Sequence, residues 1–349
     1  MEIGLIGLPG CGKSACFEAL TGLPAAHGGG NQVGAVSVPE PRLCRLAEIY
    51  RSRKLTYPEI TFVDTPALGT GQGAGIIEKQ LARLAQEADA LALIVQCFGE
   101  LDHDGSPLDP RGDLEVLLLE LALADLATTR RRLERVRAQP KKDRSTYEEH
   151  LLERLHGHLA AGHPAFRLSA SVEEEKLLRG CALITMRPLM VVANVSDSDL
   201  AGERAAGVVE VATANALPSL HFCAALEAEI AQLSPEEQAA FLSDYRLSEA
   251  ARTSLIRAAH DLLDVMTFLT ANDREAHAWT VRRGARAAEA AGKVHSDFEH
   301  SFIRAEVVHF DDLDRYGSLA ECRKHGAVRL EGKEYVVKDG DVLDIRFSR

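Results

Sequence analysis

The 349-residue sequence lacks paired cysteines, long apolar runs and an excess of positive charge. Its seven cysteines form no C-x-x-C pair, which argues against a zinc site or a disulfide framework and favours a reducing compartment. No apolar run approaches the length that spans a membrane. A strand-like pattern begins at Glu2, which leaves no room for a signal peptide. We therefore expect a cytoplasmic protein without a membrane partner.

The charge balance limits the partners that the protein can have. The formal net charge is −12, from 52 acidic and 40 basic residues. A uniformly acidic surface repels nucleic acid, so any contact with RNA needs a local basic patch. The length suggests two or three domains.

Residues 7–14 read GLPGCGKS and match the pattern G-x-x-x-x-G-K-S. They follow a short apolar strand, 2–6, and precede a helical pattern that begins at Ala15, which is the context of a phosphate loop and disfavours a chance glycine turn. Lys13 is expected to reach the β- and γ-phosphates, and the Ser14 hydroxyl to bind Mg²⁺. The residues predicted here to contact a nucleotide are Gly7, Pro9, Gly10, Cys11, Gly12, Lys13, Ser14 and Ala15.

Two further segments carry polar residues at the ends of apolar strands. Asp64 follows the strand 60–63 and fits a Mg²⁺ partner, although such an aspartate is also a common turn former or helix cap. Asn194 and Asp197 follow the strand 189–193 in the spacing of the guanine-reading motif N-K-x-D, with Val195 where that motif has lysine. A carboxylate accepts two parallel N–H bonds from guanine, which adenine cannot donate. Asn and Asp also make ordinary turns after strands.

The remaining pattern alternates strands with helices, which predicts a parallel sheet with its ligand at the carboxyl edge of the strands. A helical run reaching about residue 137, a break at Gln139–Pro140 and a second helix over 146–160 predict an inserted helical hairpin. Its tip, which we call the basic hairpin 130–144, is either a contact for RNA phosphates or a solvated helix end. Its basic residues are Arg130, Arg131, Arg132, Arg135, Arg137, Lys141, Lys142 and Arg144. Short β-rich segments after 276 predict a small mixed α/β module.

Together these segments resemble the YchF family, the Obg-like ATPases of the translation-factor class of P-loop NTPases. The segments that carry the resemblance are GLPGCGKS (7–14), VPEPRLCRLAEI (38–49), FVDTPAL (62–68), TMRPLMVVANVSD (185–197), CAALEAEI (223–230), AWTVRRGARAAEAAGKVHSDFEHSFIRAEV (278–307) and EGKEYVVKDGDVLDIRF (331–347). The fold that the resemblance implies is α/β, a P-loop NTPase parallel sheet with an inserted helical hairpin and a C-terminal β-grasp (TGS) domain. The expected limits are 1–113 and 181–265 for the nucleotide-binding domain, 114–180 for the helical insertion and 268–349 for the TGS domain.

The resemblance also implies site residues beyond the motifs. Ala224 and Ala225 would pack beside the base. Leu68 matches a hydrophobic residue of the family at the point where Ras-like enzymes place a catalytic glutamine. His103, ahead of Asp109–Pro110, matches a histidine of the family's loop, although a lone loop histidine is also commonly a bystander. Lys13, His103 and Leu68 are thus the expected catalytic residues.

Three departures from the family pattern concern hydrolysis and base choice. The stretch His27–Gln32 contains no threonine that could meet Mg²⁺. Ala67 replaces the glycine of D-x-x-G, and alanine does not reach every backbone conformation of glycine. Asp197 stands where the family has glutamate in a motif associated with accepting ATP, which leaves the choice between ATP and GTP open.

We therefore expect Mg²⁺-dependent binding and slow hydrolysis of a purine nucleotide, ATP and/or GTP, by a ribosome-associated molecular switch. Ribosome or RNA contact would come from the basic hairpin 130–144 and the TGS domain. The alternative is a nucleotide-binding ribosome or RNA-interaction protein with little or no hydrolysis. A further hypothesis concerns Cys11, whose thiol pKa should be lowered by the helix N-terminus, so that its oxidation would block nucleotide binding. The alternative is that Cys11 is simply a small residue that fills an unconstrained position of the loop.

Overall fold

The computed structural model describes residues 1–24, 31–69, 74–140, 142, 144–244 and 249–347. The strands in this part of the chain are β1 (Glu2–Gly7), β2 (Gln32–Ser37), β3 (Lys54–Thr56), β4 (Glu59–Asp64), β5 (Ala90–Cys97), β6 (Leu189–Val195), β7 (Ser219–Phe222), β8 (Val265–Ala271), β9 (Glu275–Arg282), β10 (Phe302–His309), β11 (Arg329–Glu331) and β12 (Asp341–Phe347).

The helices are α1 (Lys13–Thr21), α2 (Pro41–Tyr50), α3 (Ala74–Glu87), α4 (Pro110–Ala138), α5 (Thr146–Ala160), α6 (Val172–Arg179), α7 (Ala206–Ala214), α8 (Ala224–Ile230), α9 (Pro235–Asp244), α10 (Ala251–Leu262), α11 (Ala287–Val294), α12 (Ser296–Ser301), α13 (Phe310–Tyr316) and α14 (Leu319–Lys324). Over the described residues, none of these helices has the length and apolar character needed to cross a membrane. The chain forms two compact units, Met1–Val36 with Thr61–Leu255 and Ser37–Ile60 with Ile256–Arg349.

The first unit is built on a sheet with the strand order β2-β4-β1-β5-β6-β7. The pairings of β1 with β4 and β5, and of β6 with β5 and β7, are parallel. Every residue of β5 is buried, as expected for a central strand that is covered on both faces. The predicted parallel sheet is confirmed, and it aligns the carboxyl ends of β1, β4, β5 and β6 at one edge.

The predicted helical hairpin is also present, as α4 and α5. Asp109 caps α4 by accepting the Gly112 amide at 3.0 Å, and Ser145 caps α5 by accepting the Glu148 amide at 3.2 Å. The first turns of α4 pack into the core of the sheet, whereas its later turns pack against α5. The helix therefore runs without a break across residue 114, where the sequence placed a domain limit.

A buried carboxylate ties α4 to the segment that precedes β6. Asp125 accepts hydrogen bonds from the backbone amides of Ile184 (2.7 Å) and Thr185 (2.9 Å) and from the Thr185 hydroxyl (2.5 Å). Burial is the largest influence on this group and raises the pKa of Asp125 to about 6 against the opposing hydrogen bonds.

The second unit has a mixed sheet with the strand order β11-β10-β12-β8-β9-β3. Strand β10 is antiparallel to β11 and β12, whereas β12 is parallel to β8. The predicted mixed α/β module is thus present.

The segment 37–60 packs with this second unit, although the sequence placed it within the nucleotide-binding domain. Leu43 and Leu46 of α2 share a core cluster with Leu269, Val308 and Phe310. Strand β3 pairs in parallel with β9 at the edge of the second sheet. Apolar side chains far apart in sequence thus decide where this segment packs, and the three-domain division of the chain stays a prediction.

Candidate nucleotide site

The loop between β1 and α1 has the backbone conformation that its glycines allow. Gly10 and Gly12 both have φ of +80°, and Gly12 caps the first turn of α1. A Cβ atom on Gly12 would lie 2.2 Å from Nδ2 of Asn194, so a residue with a side chain would displace that amide. The loop therefore turns closely around the end of the sheet and leads directly into a helix N-terminus, which favours a bound anion.

Three of the predicted site residues, Lys13, Ser14 and Asp64, meet at the carboxylate of Asp64. Its carboxylate forms an ion pair with Nζ of Lys13 and accepts the hydroxyl of Ser14 at 2.8 Å. Lys13 and Asp64 are both buried, at 6% and 8% exposure. The parallel register that pairs Leu5 with Asp64 holds the carboxylate beside the phosphate loop. A cation, a hydroxyl and a carboxylate thus converge at one point of the sheet edge.

The segment after Asp64 is hydrogen-bonded to the end of β1, where the phosphate loop begins. The Thr65 hydroxyl donates to the Leu5 carbonyl at 2.7 Å, and the Leu68 amide donates to the Gly7 carbonyl at 3.0 Å. The Leu68 side chain is 2% exposed and lies in the core. Leu68 can exclude water from this region, but its side chain carries no group that could hold a water molecule.

Asn194 braces the loop from the neighbouring strand. Its Nδ2 donates to the Cys11 carbonyl at 3.0 Å, and its Oδ1 accepts the Ala224 amide at 3.2 Å. The residue is 3% exposed. Sequence reasoning assigned Asn194 to base recognition and missed this brace, for which the only signal was a polar residue within an otherwise apolar strand.

The other predicted base contacts differ in exposure. Val195 and Ala224 are buried, and the Val195 side chain belongs to the core. Ala225 and Asp197 are exposed. One carboxylate oxygen of Asp197 accepts the Ser198 amide at 2.8 Å. Asp197 is therefore an exposed charged residue in the segment that directly follows β6.

A second loop, 98–108, lies against the phosphate loop and carries His103. A Cβ atom on Gly10 would lie 2.9 Å from Cβ of His103 and 3.6 Å from Oε1 of Gln96. His103 is about one-third exposed, and its Nε2 lies 3.3 Å from Oδ1 of Asp104. The structure thus brings His103 to the predicted site from 90 residues along the chain. Gln96, at the end of the apolar strand β5, was missed by sequence reasoning.

The expectation that the pKa of the Cys11 thiol is lowered is wrong. The helix N-terminus was expected to lower its pKa, but the side chain is 3% exposed. Burial raises the pKa of Cys11 to about 11 and outweighs the opposing influence of the Lys13 backbone amide and ammonium. A neutral thiol is a poor target for oxidation, so this cysteine fills space beneath the loop.

Much of the charge of the basic hairpin 130–144 is compensated within the fold. Carboxylates outside the hairpin's own sequence pair with its arginines, in the pairs Arg131–Glu78, Arg132–Glu148, Arg137–Glu149, Arg137–Glu153 and Arg144–Glu149. The charge of the segment 130–144 was judged from its own residues, which leave out Glu78 of α3 and the glutamates of α5. Within the described part of the hairpin, Arg130, Arg135 and Lys142 form no ion pair. Lys141 and residues 25–30 of the threonine-free stretch lie outside the described residues.

Two family models match the chain. One, YchF-GTPase_C, described as a protein of unknown function, matches residues 265–348. The other, described as a 50S ribosome-binding GTPase, matches residues 2–118.

The chain is also similar over its full length to proteins named ribosome-binding ATPase YchF. The Bacillus subtilis protein is 37% identical over 364 residues, which cover 100% of this chain and 99% of the relative. The Escherichia coli O157:H7 protein is 36% identical over 361 residues, 99% of each chain. The solved structure of the Schizosaccharomyces pombe YchF GTPase matches with a TM-score of 0.86 and 24% identity, covering 99% of this chain and 97% of that one, which shows the common fold.

Proposed function

The chain belongs to the YchF family of P-loop NTPases, and from this premise we propose that it binds ATP and/or GTP together with Mg²⁺. It would hydrolyse the bound nucleotide slowly and act as a ribosome-associated switch in the cytoplasm. The observation that carries this proposal is the convergence of Lys13, Ser14 and Asp64 at the mouth of a glycine-rich loop. These three groups are the phosphate-binding and metal-binding parts of P-loop enzymes.

The phosphates would lie in the loop 7–15, against backbone amides and the N-terminus of α1. The Lys13 ammonium sits on a flexible stem beside Asp64 and can extend to the β- and γ-phosphate oxygens. The donor set at Ser14 and Asp64 fits Mg²⁺, which commonly takes few protein ligands and completes its shell with phosphate oxygens and water. There Mg²⁺ would neutralise charge that develops on the phosphate oxygens.

The base would lie between the loop at 194–197 and the start of α8, beside Ala224 and Ala225. The Asn194 amide is occupied by its two backbone contacts, and one oxygen of Asp197 accepts the Ser198 amide. The exposed Asp197 carboxylate is therefore the group that would meet the edge of a purine. An exposed carboxylate favours guanine, whereas the bacterial relatives are named ATPases. The proposal therefore covers both purines.

Hydrolysis would proceed by attack of water on the γ-phosphate, with charge stabilisation and no covalent intermediate. Lys13 would stabilise the transition state, and the buried Leu68 would exclude bulk water from the phosphate site. His103, beside Gly10, is the polar side chain of the loop 98–108 that we propose orients the attacking water.

The ribosome or its RNA would be met by the basic hairpin 130–144 and by the C-terminal TGS module. The relatives' name, ribosome-binding ATPase, supports this partner. Among the described residues of the hairpin, Arg130, Arg135 and Lys142 make no ion pair, so these three cations would be available to phosphates. Neutralising these three should weaken ribosome co-sedimentation and reduce its salt dependence. The matched control neutralises the paired Arg131, Arg132 and Arg137, and an equal effect of both variants would contradict the assignment.

A second candidate is a protein that binds nucleotide and ribosome with little or no hydrolysis. The apolar, buried Leu68 side chain and Ala67 in place of glycine favour it. Multiple-turnover phosphate release with ATP and with GTP separates the two functions. Release above that of Lys13→Ala supports the enzyme, whereas equal release with retained nucleotide binding supports the binding protein.

A further inference from the structure

We propose that Gln96 is a positioning residue, which holds the loop 98–108 against the phosphate loop so that His103 faces the terminal phosphate. The inference deepens the proposed hydrolysis and rests on it. Gln96 lies near the end of β5, where its register partner on β6 is Asn194. Two amide side chains thus flank the phosphate loop from neighbouring strands, and each is buried, at 7% and 3% exposure.

The Gln96 side chain fastens the root of the loop. Its Nε2 donates to the carbonyls of Phe98 and Leu101, both at 3.1 Å. Because both neighbours are acceptors, they require the amide nitrogen at this position and turn Oε1 towards Gly10. A buried donor with two acceptors is strongly held, since the loss of either partner would leave a polar group unsatisfied.

The rest of the loop is a small hairpin that is held together by its own hydrogen bonds. The Leu108 amide donates to the Glu100 carbonyl at 3.0 Å, and the Asp102 amide donates to the Ser106 carbonyl at 2.9 Å. The Asp102 carboxylate also accepts the amides of Asp104 (2.9 Å) and Ser106 (2.8 Å). His103 sits at the tip of this hairpin, so its position is set where the hairpin is attached.

Two side chains of the attached loop closely approach the glycines of the phosphate loop. Cβ of His103 lies 2.9 Å from where a Cβ on Gly10 would be, and Cε1 of Phe98 lies 3.4 Å from where one on Gly12 would be. The other attachment is Arg204, which donates to the Gly99 carbonyl and pairs with Glu100. Both partners of that ion pair are exposed, at 45% and 81%, so water screens it and the buried Gln96 is the stronger anchor.

The test compares Gln96→Met with His103→Ala and with the double variant in nucleotide hydrolysis. Methionine keeps the length of the side chain and removes both donated hydrogen bonds. We expect Gln96→Met to lower kcat by about ten-fold or more with KM within about three-fold, because nucleotide binding stays intact while the reacting geometry loosens. The double variant should be no slower than His103→Ala, since Gln96 acts through His103.

The chain offers a matched control in Gln238, whose Nε2 also donates to two backbone carbonyls, at 3.1 and 3.0 Å, in α9. Gln238→Met should keep the wild-type kcat. Should Gln96→Met fail to fold, as judged by circular dichroism, Gln96→Glu removes the same donors at nearly constant volume and replaces it.

The hydrolysis rates of the variants distinguish the ways in which the inference can fail. If His103→Ala lowers kcat and Gln96→Met does not, or if their effects multiply in the double variant, the inference about Gln96 is overturned and the proposed hydrolysis stands. If His103→Ala keeps the wild-type kcat, the role of His103 is overturned and the inference fails with it. If wild-type release equals that of Lys13→Ala, the hydrolysis itself fails, and the inference with it.

Discussion

Replacing Asn194 by alanine should cost the protein both stability and nucleotide affinity. The change removes the hydrogen bonds to the Cys11 carbonyl and from the Ala224 amide. Both backbone groups would stay buried without a partner, at about 1–3 kcal/mol each. We expect the free energy of unfolding to fall by about 2–4 kcal/mol. Nucleotide affinity should fall as well, because the phosphate loop and the start of α8 are no longer held together.

Urea denaturation followed by circular dichroism measures the loss of stability, and calorimetric titration measures the loss of affinity. The matched control is Asn215→Ala at the end of α7, which removes a half-buried hydrogen bond to the Val211 carbonyl at 2.9 Å and an exposed, long hydrogen bond from Arg167 Nη1 at 3.5 Å. That loss should be about 1 kcal/mol or less, with no change in affinity. If Asn194→Ala is no less stable than Asn215→Ala and binds nucleotide like the wild type, the bracing role of Asn194 is refuted.

Two predictions follow from the buried titratable groups. The pKa of Asp125 rises from 3.8 to about 6 on folding, so its contribution to stability is complete below about pH 4 and is lost as the pH rises through about 6. Relative to Asp125→Asn, the wild-type free energy of unfolding should therefore fall with rising pH by on the order of 3 kcal/mol in all, and a pH-independent difference would contradict the assignment. The pKa of Cys11 rises to about 11, so iodoacetamide at pH 8 should alkylate the exposed Cys44 well before Cys11 in peptide mapping. Labelling of Cys11 first would contradict its burial.

The sequence was sufficient for the parts of the fold in which local pattern and tertiary structure agree. The strand–loop–helix at 2–21, the buried strand β5 and the helix Thr146–Ala160 all lie where periodicity and turn residues place them. It was insufficient for the segment 37–60. The partners that fix this segment, such as Leu269 and Phe310, are more than 200 residues away, and a local pattern does not identify them.

The candidate site divides in the same way. Motif spacing named Lys13, Ser14 and Asp64, and the parallel register of β1 and β4 brings them together. Spacing did not reveal what buried side chains do for the backbone, as with Gln96 and Asn194. It also did not reveal the burial that raises the pKa of Cys11 or the α5 glutamates that pair with arginines of the basic hairpin 130–144, because both are tertiary effects.

The central claim is that the phosphate loop binds a nucleotide through Lys13, and calorimetric titration with Mg²⁺-ATP and Mg²⁺-GTP tests it most directly. We predict that the wild type binds at least one of the two nucleotides and that Lys13→Ala binds it at least ten-fold more weakly, a loss of about 1.4 kcal/mol or more. GTP binding ten-fold tighter than ATP would assign base recognition to Asp197, and the reverse would follow the relatives' name. Wild-type protein that binds neither nucleotide, or Lys13→Ala with unchanged affinity, would contradict the claim.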